Sequence, residues 1–367
     1  MSALFEPITI RNLTLKNRVV MAPMTRNFSP EGVPGENVAK YYRKRAEGEV
    51  GLIITEGTGV DRPEARNEPN IPRFHGEDAL AGWGKVVKAV HGEGGAIAPQ
   101  LWHTGLVKEQ FPDRPRPGEA EGPSGLYKAE KPYGRAMTEE DVADAVAAYV
   151  KGAEEAVKLG FDTIEFHGAH GYLIDQFFWG VTNVRSDEWG GETLAERTKF
   201  AAEIIRQTRA AVGDVPLIIR ISQWNQQDYT RRLALTPEEI KGWVTPLVDA
   251  GADVIHASQR RFWEPEFPEI DGENGLNFAG WIKKLVGVPT ISVGSVGLDA
   301  DFFGSFREQQ TQTTDLSELE ERMDRGEFDM IAVGRALISN PDWARHVREG
   351  SLDNLVGYRS EDLGQLV

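Results

Sequence analysis

The chain has 367 residues, 40% hydrophobic and 27% charged, which is the composition of a globular protein with a substantial core. Its formal net charge of −16 argues against nucleic acid as a partner, because phosphate backbones need concentrated Lys and Arg. The absence of cysteine excludes disulfides, thiolate zinc sites and cysteine-bound iron–sulfur clusters. Neither a signal peptide nor a run of roughly 20 apolar residues is recognisable, so we expect a cytoplasmic protein without a membrane segment.

Eight short β-branched runs recur along the chain, and most are followed by a helical pattern. Each run is apolar without alternation, as expected for parallel strands covered on both faces. Eight strands, each followed by a helix, predict an α/β fold, a (β/α)8 TIM barrel, as one domain over residues 1–367; a doubly wound open sheet is the alternative. The runs are Arg18–Met21, Leu52–Thr55, Ala96–Leu101, Thr163–Phe166, Leu217–Ile221, Val254–Ala257, Thr290–Val293 and Met330–Val333.

Helix-start signals lie between the predicted strands. Some have the spacing of a capping box, and others place proline at the first helical position after a capping residue. Behind Thr138, apolar residues from Val142 to Val157 recur at helical spacing and predict a stripe that faces the core. The start signals are Thr138 with Asp141, Thr193 with Glu196, Thr236-Pro237 and Asn340-Pro341.

Two predicted connections are too long for simple turns. Residues 103–137 follow the third strand and are rich in proline, Pro112 among them. Residues 258–276 follow the sixth strand and include Arg260, Arg261 and Trp263. Long loops in a compact domain are usually functional, and barrel enzymes build their sites where strands end. We therefore interpret both loops as lids.

The fourth predicted strand ends in a cluster of proton-donating side chains. His167 and His170 follow the strand at once, and Tyr172 comes two residues later. A strand built only for packing has no use for three such groups where it gives way to a loop. They indicate a site that binds a substrate oxygen and delivers a proton. His103 and His256 are interpreted as structural.

The residues after the seventh and eighth strands have the pattern of a phosphate site. Gly294 and Gly297 would let backbone N–H groups approach an anion, and Arg335, after Gly334, adds a bidentate cation. Loops at these two places are the usual phosphate cradle of the barrel.

Other residues at the strand ends suit a flat ring rich in heteroatoms. Gln100 can both donate and accept at a pyrimidine edge, and Thr25 offers a hydroxyl. Arg220 supplies a positive charge that would stabilise an anionic reduced ring. A phosphate together with such a ring suggests FMN.

At this point the chain resembles the Old Yellow Enzyme family, FMN-dependent ene-reductases built on a TIM barrel. The motifs of this resemblance span nearly the whole chain in the family's order. They are LKNRVVMAPMT from Leu15 to Thr25, QLWH from Gln100 to His103, HGAHGYL from His167 to Leu173, NVRSDEWGG from Asn183 to Gly191, and Gly334-Arg335.

The resemblance implies an enzyme that uses NADH or NADPH to reduce the activated C=C bond of α,β-unsaturated carbonyl or nitro compounds. The implied cycle is ping-pong, with net trans addition of hydrogen. His167 and His170 would bind the substrate oxygen, Tyr172 would donate the proton, and Trp102 would line the substrate pocket. The residues implied for FMN binding are Pro23, Met24, Thr25, Gly57, Gln100, His167, Arg220, Gly294, Ser295, Gly334 and Arg335.

Two residues distinguish this chain from other members of the family. Thr25, expected near the flavin O4, points to the threonine-bearing branch, and Leu106 stands where many members carry arginine. We expect a monomer or homodimer that acts on small molecules. Two alternatives remain: a barrel hydrolase with zinc held by His167, His170 and His103 or His256, and a non-catalytic flavin- or ligand-binding barrel such as an interaction scaffold.

Overall fold

The computed structural model describes residues 2–109, 113–225, 228–300 and 311–367, so Pro112 of the first predicted lid lies outside the described residues. Eight parallel strands close into a barrel, which confirms the TIM-barrel prediction over the open sheet. The strands are β1 (Val19–Met21), β2 (Leu52–Gly59), β3 (Ala96–Trp102), β4 (Ile164–Gly168), β5 (Leu217–Ser222), β6 (Val254–Ser258), β7 (Thr290–Val293) and β8 (Met330–Val333).

Helices surround the barrel and cover the outer faces of its strands. The main ones are α1 (Glu36–Glu47), α2 (Glu77–Gly92), α3 (Glu139–Leu159), α4 (Lys199–Val212), α5 (Pro237–Asp249), α6 (Phe278–Val286), α7 (Ser317–Asp324) and α8 (Trp343–Glu349). Short α-helices occupy Leu173–Phe178, Leu194–Arg197, Pro268–Asp271 and Arg335–Ser339, and 3-10 turns occupy Ala3–Phe5, Pro30–Gly32, Pro63–Ala65, Leu352–Asn354 and Ser360–Gly364. None of the helices in the described ranges is both long and apolar enough to cross a bilayer.

The inside of the barrel is apolar at one end and polar at the other. An antiparallel hairpin, Ile8–Ile10 with Leu13–Leu15, brings Ile10 and Leu15 against the apolar end. The apolar side chains form one cluster that includes Val20, Leu52, Ala98, Ile218, Val254, Ile291 and Met330. Towards the carboxyl ends of the strands, polar residues replace them, because these ends face the loops that build the site.

The predicted helix starts are mostly confirmed. Thr138 with Asp141 and Thr193 with Glu196 form capping boxes, and Thr236 caps α5 with Pro237 in its first turn. Capping boxes satisfy backbone N–H groups that a helix leaves unpaired at its start.

Two predictions about the helices are wrong. The last start signal does not open a helix, because α8 begins after Asp342, and Asn340 instead donates to the carbonyls of Ala336 and Val356 at 2.9 Å each. In the stripe of α3, Val142, Val146 and Ala153 are buried, but Val157 is 39% exposed although its neighbour Ala156 is fully buried, so Val157 lies at the edge of the buried face.

The two predicted long loops carry structure of their own. In the loop after β3, Glu121–Gly122 pairs with Arg135–Ala136, and Leu126–Lys128 pairs with Lys131–Pro132. Glu121 is buried and accepts from Arg62 and Arg135, which fixes this loop to the barrel.

The loop after β6 is anchored by aromatic side chains. Phe262 and Phe267 are buried in the main core, and the Phe262 N–H donates to the carbonyl of Gly294 at 3.1 Å. The sequence did not show that the connection after β5 also carries a hairpin, formed by Trp224–Asn225 and Asp228–Arg232.

Candidate active site

The structure brings the two histidines and the tyrosine at the end of β4 into one cluster of rings. The ring centroid of His167 lies 5.3 Å from that of His170, with the planes at 87°, and 4.8 Å from that of Tyr172. His167 is 5% exposed, and His170 is half-buried. The three polar side chains can therefore contact one small ligand at the same time.

A strained backbone turn orients the side chains of this cluster. His170 has φ +64 and Gly171 has φ +79, a left-handed conformation that is costly for a histidine. The buried carboxylate of Asp175 accepts from the Gly171 N–H at 2.7 Å and from Trp179 Nε1 at 3.1 Å, and the His170 N–H donates to Ser222 Oγ at 3.3 Å. Burial raises the pKa of Asp175 to about 8, although the hydrogen bonds from Gly171 and Trp179 act to lower it. The contacts hold the turn in place.

Electrostatics favour the neutral form of both histidines. Burial, with the nearby His170 and Arg220, lowers the pKa of His167 well below its ordinary range. Burial and Arg220 lower the pKa of His170 in the same way. Burial raises the pKa of Tyr172 to about 12, although Arg220 opposes this shift. At neutral pH the site therefore holds two neutral imidazoles and a protonated phenol.

Trp102 supports the cluster from β3. Its ring meets that of Tyr172 edge-on at 4.7 Å between centroids and stacks near His167 at 5.9 Å. The space for this ring exists because residue 57 is glycine: a Cβ there would lie 2.3 Å from the indole ring. Gly57 thus contributes by leaving room for Trp102.

A buried polar layer lies next to the cluster, inside the barrel. Glu165 accepts from Gln100 Nε2 at 2.8 Å and pairs with His256 Nδ1 at 2.7 Å. Only the amide nitrogen can donate to a carboxylate, so the orientation of Gln100 is fixed. Register pairs His167 with Arg220 and Arg220 with His256 on neighbouring strands. Burial lowers the pKa of Arg220 to about 10, opposed by Glu165, so the guanidinium stays charged at neutral pH.

The loops after β7 and β8 form the second part of the candidate site. Gly294, Ser295 and Gly297 have φ of +145, +53 and +68, so the backbone after β7 turns through conformations that residues with a Cβ rarely adopt. A Cβ on Gly294 would lie 2.7 Å from the carbonyl oxygen of Gln259, which requires glycine there. After β8, Arg335 Nη2 donates to the Ala300 carbonyl at 2.8 Å, which links the two loops.

The residues after β1 complete the set predicted for the cofactor. Pro23 and Met24 are half-buried, and Thr25 is exposed at the rim. The next two backbone N–H groups, of Arg26 and Asn27, donate to Glu56 Oε2 at 2.9 and 3.0 Å. Glu56, in the second half of β2, therefore holds the segment that carries Thr25.

The residues present fit FMN. Arg220 Nε, His167 Nδ1 and Trp102 Nε1 are buried without a hydrogen-bond partner in the described part of the chain. Buried donors without partners are costly, and a heteroatom-rich ring offers acceptors to such groups. The turn after β7, with Gly294 and Gly297, would let backbone N–H groups approach a phosphate. Each predicted FMN residue lies in a barrel strand or in the segment directly after one. Their individual roles stay predictions.

The structure also shows the surroundings of the other residues that the sequence singled out. His103 Nε2 pairs with Glu121 at 3.0 Å and His256 pairs with Glu165, so both histidines serve buried networks, as predicted. No group of three or more metal-binding side chains occurs within the described ranges, so the zinc alternative has no ligand set there. Leu106 is fully buried against Gly122.

The loop motif after β4, from Asn183 to Gly191, has a structural role. Asn183 Nδ2 donates to the carbonyls of Phe177 and Trp189 at 2.9 Å each, and Arg185 Nε pairs with Asp187 at 2.9 Å. These side chains hold the loop that follows the histidine cluster.

Sequence reasoning missed several residues that support the cluster, namely Glu165, Asp175 and Ser258. An acid inside an apolar strand, two positions before His167, was a readable signal for Glu165. Ser258 directly follows the sixth predicted strand, and nothing in its neighbours indicated its contact with His170.

A closed parallel barrel with a buried cation and a proton-donating ring cluster at its carboxyl end is the architecture expected of a flavin-dependent TIM-barrel oxidoreductase. The family model described as the NADH:flavin oxidoreductase / NADH oxidase family matches residues 3–354. An NADPH dehydrogenase of Geobacillus thermodenitrificans is 34% identical over 345 residues, which cover 93% of this chain and 92% of that protein.

Two further comparisons agree. The 12-oxophytodienoate reductase 7 of Oryza sativa subsp. japonica is 32% identical over 94% of this chain and 87% of its own length. The solved structure of morphinone reductase in complex with tetrahydroNAD superposes with a TM-score of 0.80 at 28% identity, covering 99% of this chain and 94% of that one. The chain thus belongs to the NADH:flavin oxidoreductase / NADH oxidase family, the Old Yellow Enzyme family. It is an NAD(P)H-dependent flavin oxidoreductase with FMN as its cofactor.

Proposed function

We propose that this protein is an ene-reductase that reduces the activated C=C bond of α,β-unsaturated carbonyl or nitro compounds. The observation that carries the proposal is the convergence of His167, His170 and Tyr172 within ring distances of 4.8 to 5.3 Å, beside the buried Arg220. The names of the enone-reducing relatives support the same substrate class. We further propose that residues 1–367 act as one domain, in the cytoplasm, as a monomer or homodimer.

The residues proposed to hold FMN lie on opposite sides of the barrel mouth. Gly294, Ser295, Gly334 and Arg335 would bind the phosphate, and Gln100 and Arg220 would bind the ring, with Pro23, Met24, Thr25, Gly57 and His167 around it. When bound, FMN would supply hydride chemistry, taking a hydride from NADH or NADPH and passing one to the substrate in a ping-pong cycle.

The histidines would bind the substrate oxygen. Two neutral imidazole N–H groups can donate to one oxygen, and that oxygen gains negative charge as the β-carbon is reduced. Donors already in place for developing charge lower the barrier, by roughly 3 kcal/mol for one donor in measured cases. The left-handed turn at His170 already holds the imidazole in position in the folded protein, so its strain is part of the folding free energy and not of substrate binding.

Tyr172 would complete the reaction. Its phenol keeps its proton at neutral pH, because burial raises its pKa to about 12. Trp102 packs edge-on against the phenol ring and so helps to keep it beside the histidines. The O–H bond of Tyr172 would break as a new C–H bond forms at the α-carbon. Proton delivery by a positioned side chain contributes about 10²- to 10⁴-fold in rate.

Anaerobic spectroscopy of the FMN-loaded protein tests this proposal. NADPH or NADH should bleach the flavin band, and cyclohexenone should restore it in a second, separate step. Cyclohexanone is the matched control, since it has the carbonyl oxygen but no C=C bond to reduce. Bleaching without recovery in cyclohexenone, or equal recovery with both ketones, would contradict the assignment and favour the non-catalytic flavin-binding barrel.

A further inference from the structure

Ser258, the last residue of β6, lies between His170 and Arg220. Its Oγ is 2.8 Å from His170 Nε2 and 3.2 Å from Arg220 Nη2. The side chain is buried, with 7% of the residue exposed. Within the described part of the chain, these are the two hydrogen bonds of this hydroxyl. The serine thus connects the half-buried histidine of the cluster to the buried cation.

Counting hydrogens fixes the direction of these two bonds. A guanidinium only donates, so Arg220 donates to Ser258 Oγ. If His170 Nε2 also donated to this oxygen, the serine O–H would be left without an acceptor among the described residues in a buried site, which is costly. The arrangement that satisfies both the serine hydroxyl and His170 Nε2 runs from Arg220 N–H to Ser258 oxygen, and from Ser258 O–H to His170 Nε2. His170 Nε2 is then the acceptor.

The proton of the neutral His170 ring must consequently be on Nδ1. A neutral imidazole carries one N–H, and the hydrogen bond at one nitrogen decides which nitrogen has it. No hydrogen bond within the described residues uses His170 Nδ1, so its N–H is available to a ligand. The neutral state itself is favoured by burial and by Arg220, which lower the pKa of His170.

We propose that Ser258 is a positioning residue that fixes the tautomer of His170, so that Nδ1–H rather than Nε2–H is presented to the substrate oxygen. This rests on the proposed function, in which His170 binds that oxygen. Arg220 has a second role here. Because it donates a hydrogen bond to Ser258 Oγ, the serine O–H points towards the imidazole. Without the serine, the ring would distribute between two tautomers, and only one is competent to bind.

Nuclear magnetic resonance of the FMN-loaded protein with isotope-labelled histidine tests the tautomer directly. Two-bond correlations distinguish Nδ1–H from Nε2–H, and the His170→Ala spectrum identifies this residue among the seven histidines. Wild type should show Nδ1–H, Ser258→Thr should keep it, and Ser258→Ala should show a mixture or Nε2–H. Nε2–H in wild type, or unchanged Nδ1–H in Ser258→Ala, would overturn the proposal.

Ser222→Ala is the matched control for this measurement. The Ser222 hydroxyl also contacts His170, but it accepts from the backbone N–H at 3.3 Å and does not touch the ring. The Nδ1–H form should therefore persist in this variant. Conversion of His170 to the other tautomer in Ser222→Ala would show that the turn, rather than Ser258, selects it.

Phenol binding to the oxidised enzyme separates this proposal from the proposed function. Phenol offers one oxygen, and its affinity should fall with the fraction of competent tautomer, by about three- to tenfold in Ser258→Ala. Ser258→Thr should restore the affinity. Weakening in His170→Ala but not in Ser258→Ala would overturn the serine proposal alone. Unchanged binding in both variants would remove the proposed role of His170 as well.

Discussion

The two sides of the barrel mouth are built by different means. After β7 the shape comes from backbone: Gly294, Ser295 and Gly297 all have positive φ, and glycine is required where a Cβ would meet a carbonyl at 2.7 Å. Between β3 and β6 it comes from side chains that hold one another, as Glu165 holds Gln100 and His256. The backbone side is suited to retaining a cofactor. The side-chain side is suited to substrate chemistry, because it sets proton positions.

The largest expected effect comes from the double replacement of His167 and His170 by alanine. Loss of one preorganised donor lowers rates by about 10²- to 10³-fold, so we expect at least about 10³-fold slower recovery with cyclohexenone for the pair. Rates are taken per bound FMN in stopped-flow experiments. Phenol should also bind more weakly, because its oxygen occupies the same place. An unchanged charge-transfer titration with phenol would contradict the role of the pair.

Tyr172→Phe should have the next largest effect. The variant keeps the ring that packs on Trp102 but loses the proton, so we expect about 10²-fold slower recovery with cyclohexenone. Bleaching by NADPH should change little, since that half of the cycle needs no proton at the α-carbon. Stopped flow measures the two steps separately. Equal losses in both steps would argue against a proton donor.

Gly294→Ala tests the backbone side. The added Cβ would lie 2.7 Å from a carbonyl oxygen at φ +145, and strain of this kind costs of order 1–3 kcal/mol. We expect about tenfold or greater loss of FMN affinity, measured by fluorescence of released flavin, with the rate per bound FMN retained. Gly287→Ala is the control: it also has positive φ, at the end of α6, but open space around it. Similar losses of FMN affinity in the two variants would contradict a specific role of Gly294 in retaining the cofactor.

The smallest expected effect is a pH dependence of the free energy of unfolding, which the buried histidines cause. Burial lowers the folded-state pKa of His103, His167, His170 and His256, while unfolded histidines titrate near 6.5. Below that pH the unfolded state binds more protons, so the free energy of unfolding should fall as pH falls. One such histidine contributes at most about 1.4 kcal/mol per pH unit.

His170→Asn isolates one of these groups, because it keeps a polar side chain but removes the titration. Urea unfolding at successive pH values between neutral and mildly acidic should give a flatter slope for this variant than for wild type. An identical slope would mean that His170 becomes protonated in the folded protein, against the neutral form assigned to it.

Much of the fold was readable from the chain because its signals are local. The strand runs were correct to within a few residues, and the capping boxes at Thr138 and Thr193 formed as predicted. Errors occurred where local patterns compete with tertiary contacts: Asn340 makes loop contacts instead of starting a helix, and Val157 lies at the edge of the buried face of α3. The hairpin after β5 was missed for the same reason.

The sequence by itself determined the eight-strand cycle, the positions of His167, His170 and Tyr172, and the glycines after β7 and β8, because periodicity, turn residues and strand ends are short-range properties. Only the tertiary structure decided which side chains meet. Ser258 and His170 are 88 positions apart, Glu165 and His256 are 91 apart, and Gln100 and Glu165 are 65 apart. These pairs exist because closure of the barrel and the register of its strands bring the carboxyl ends to one place, and no local pattern encodes that distance.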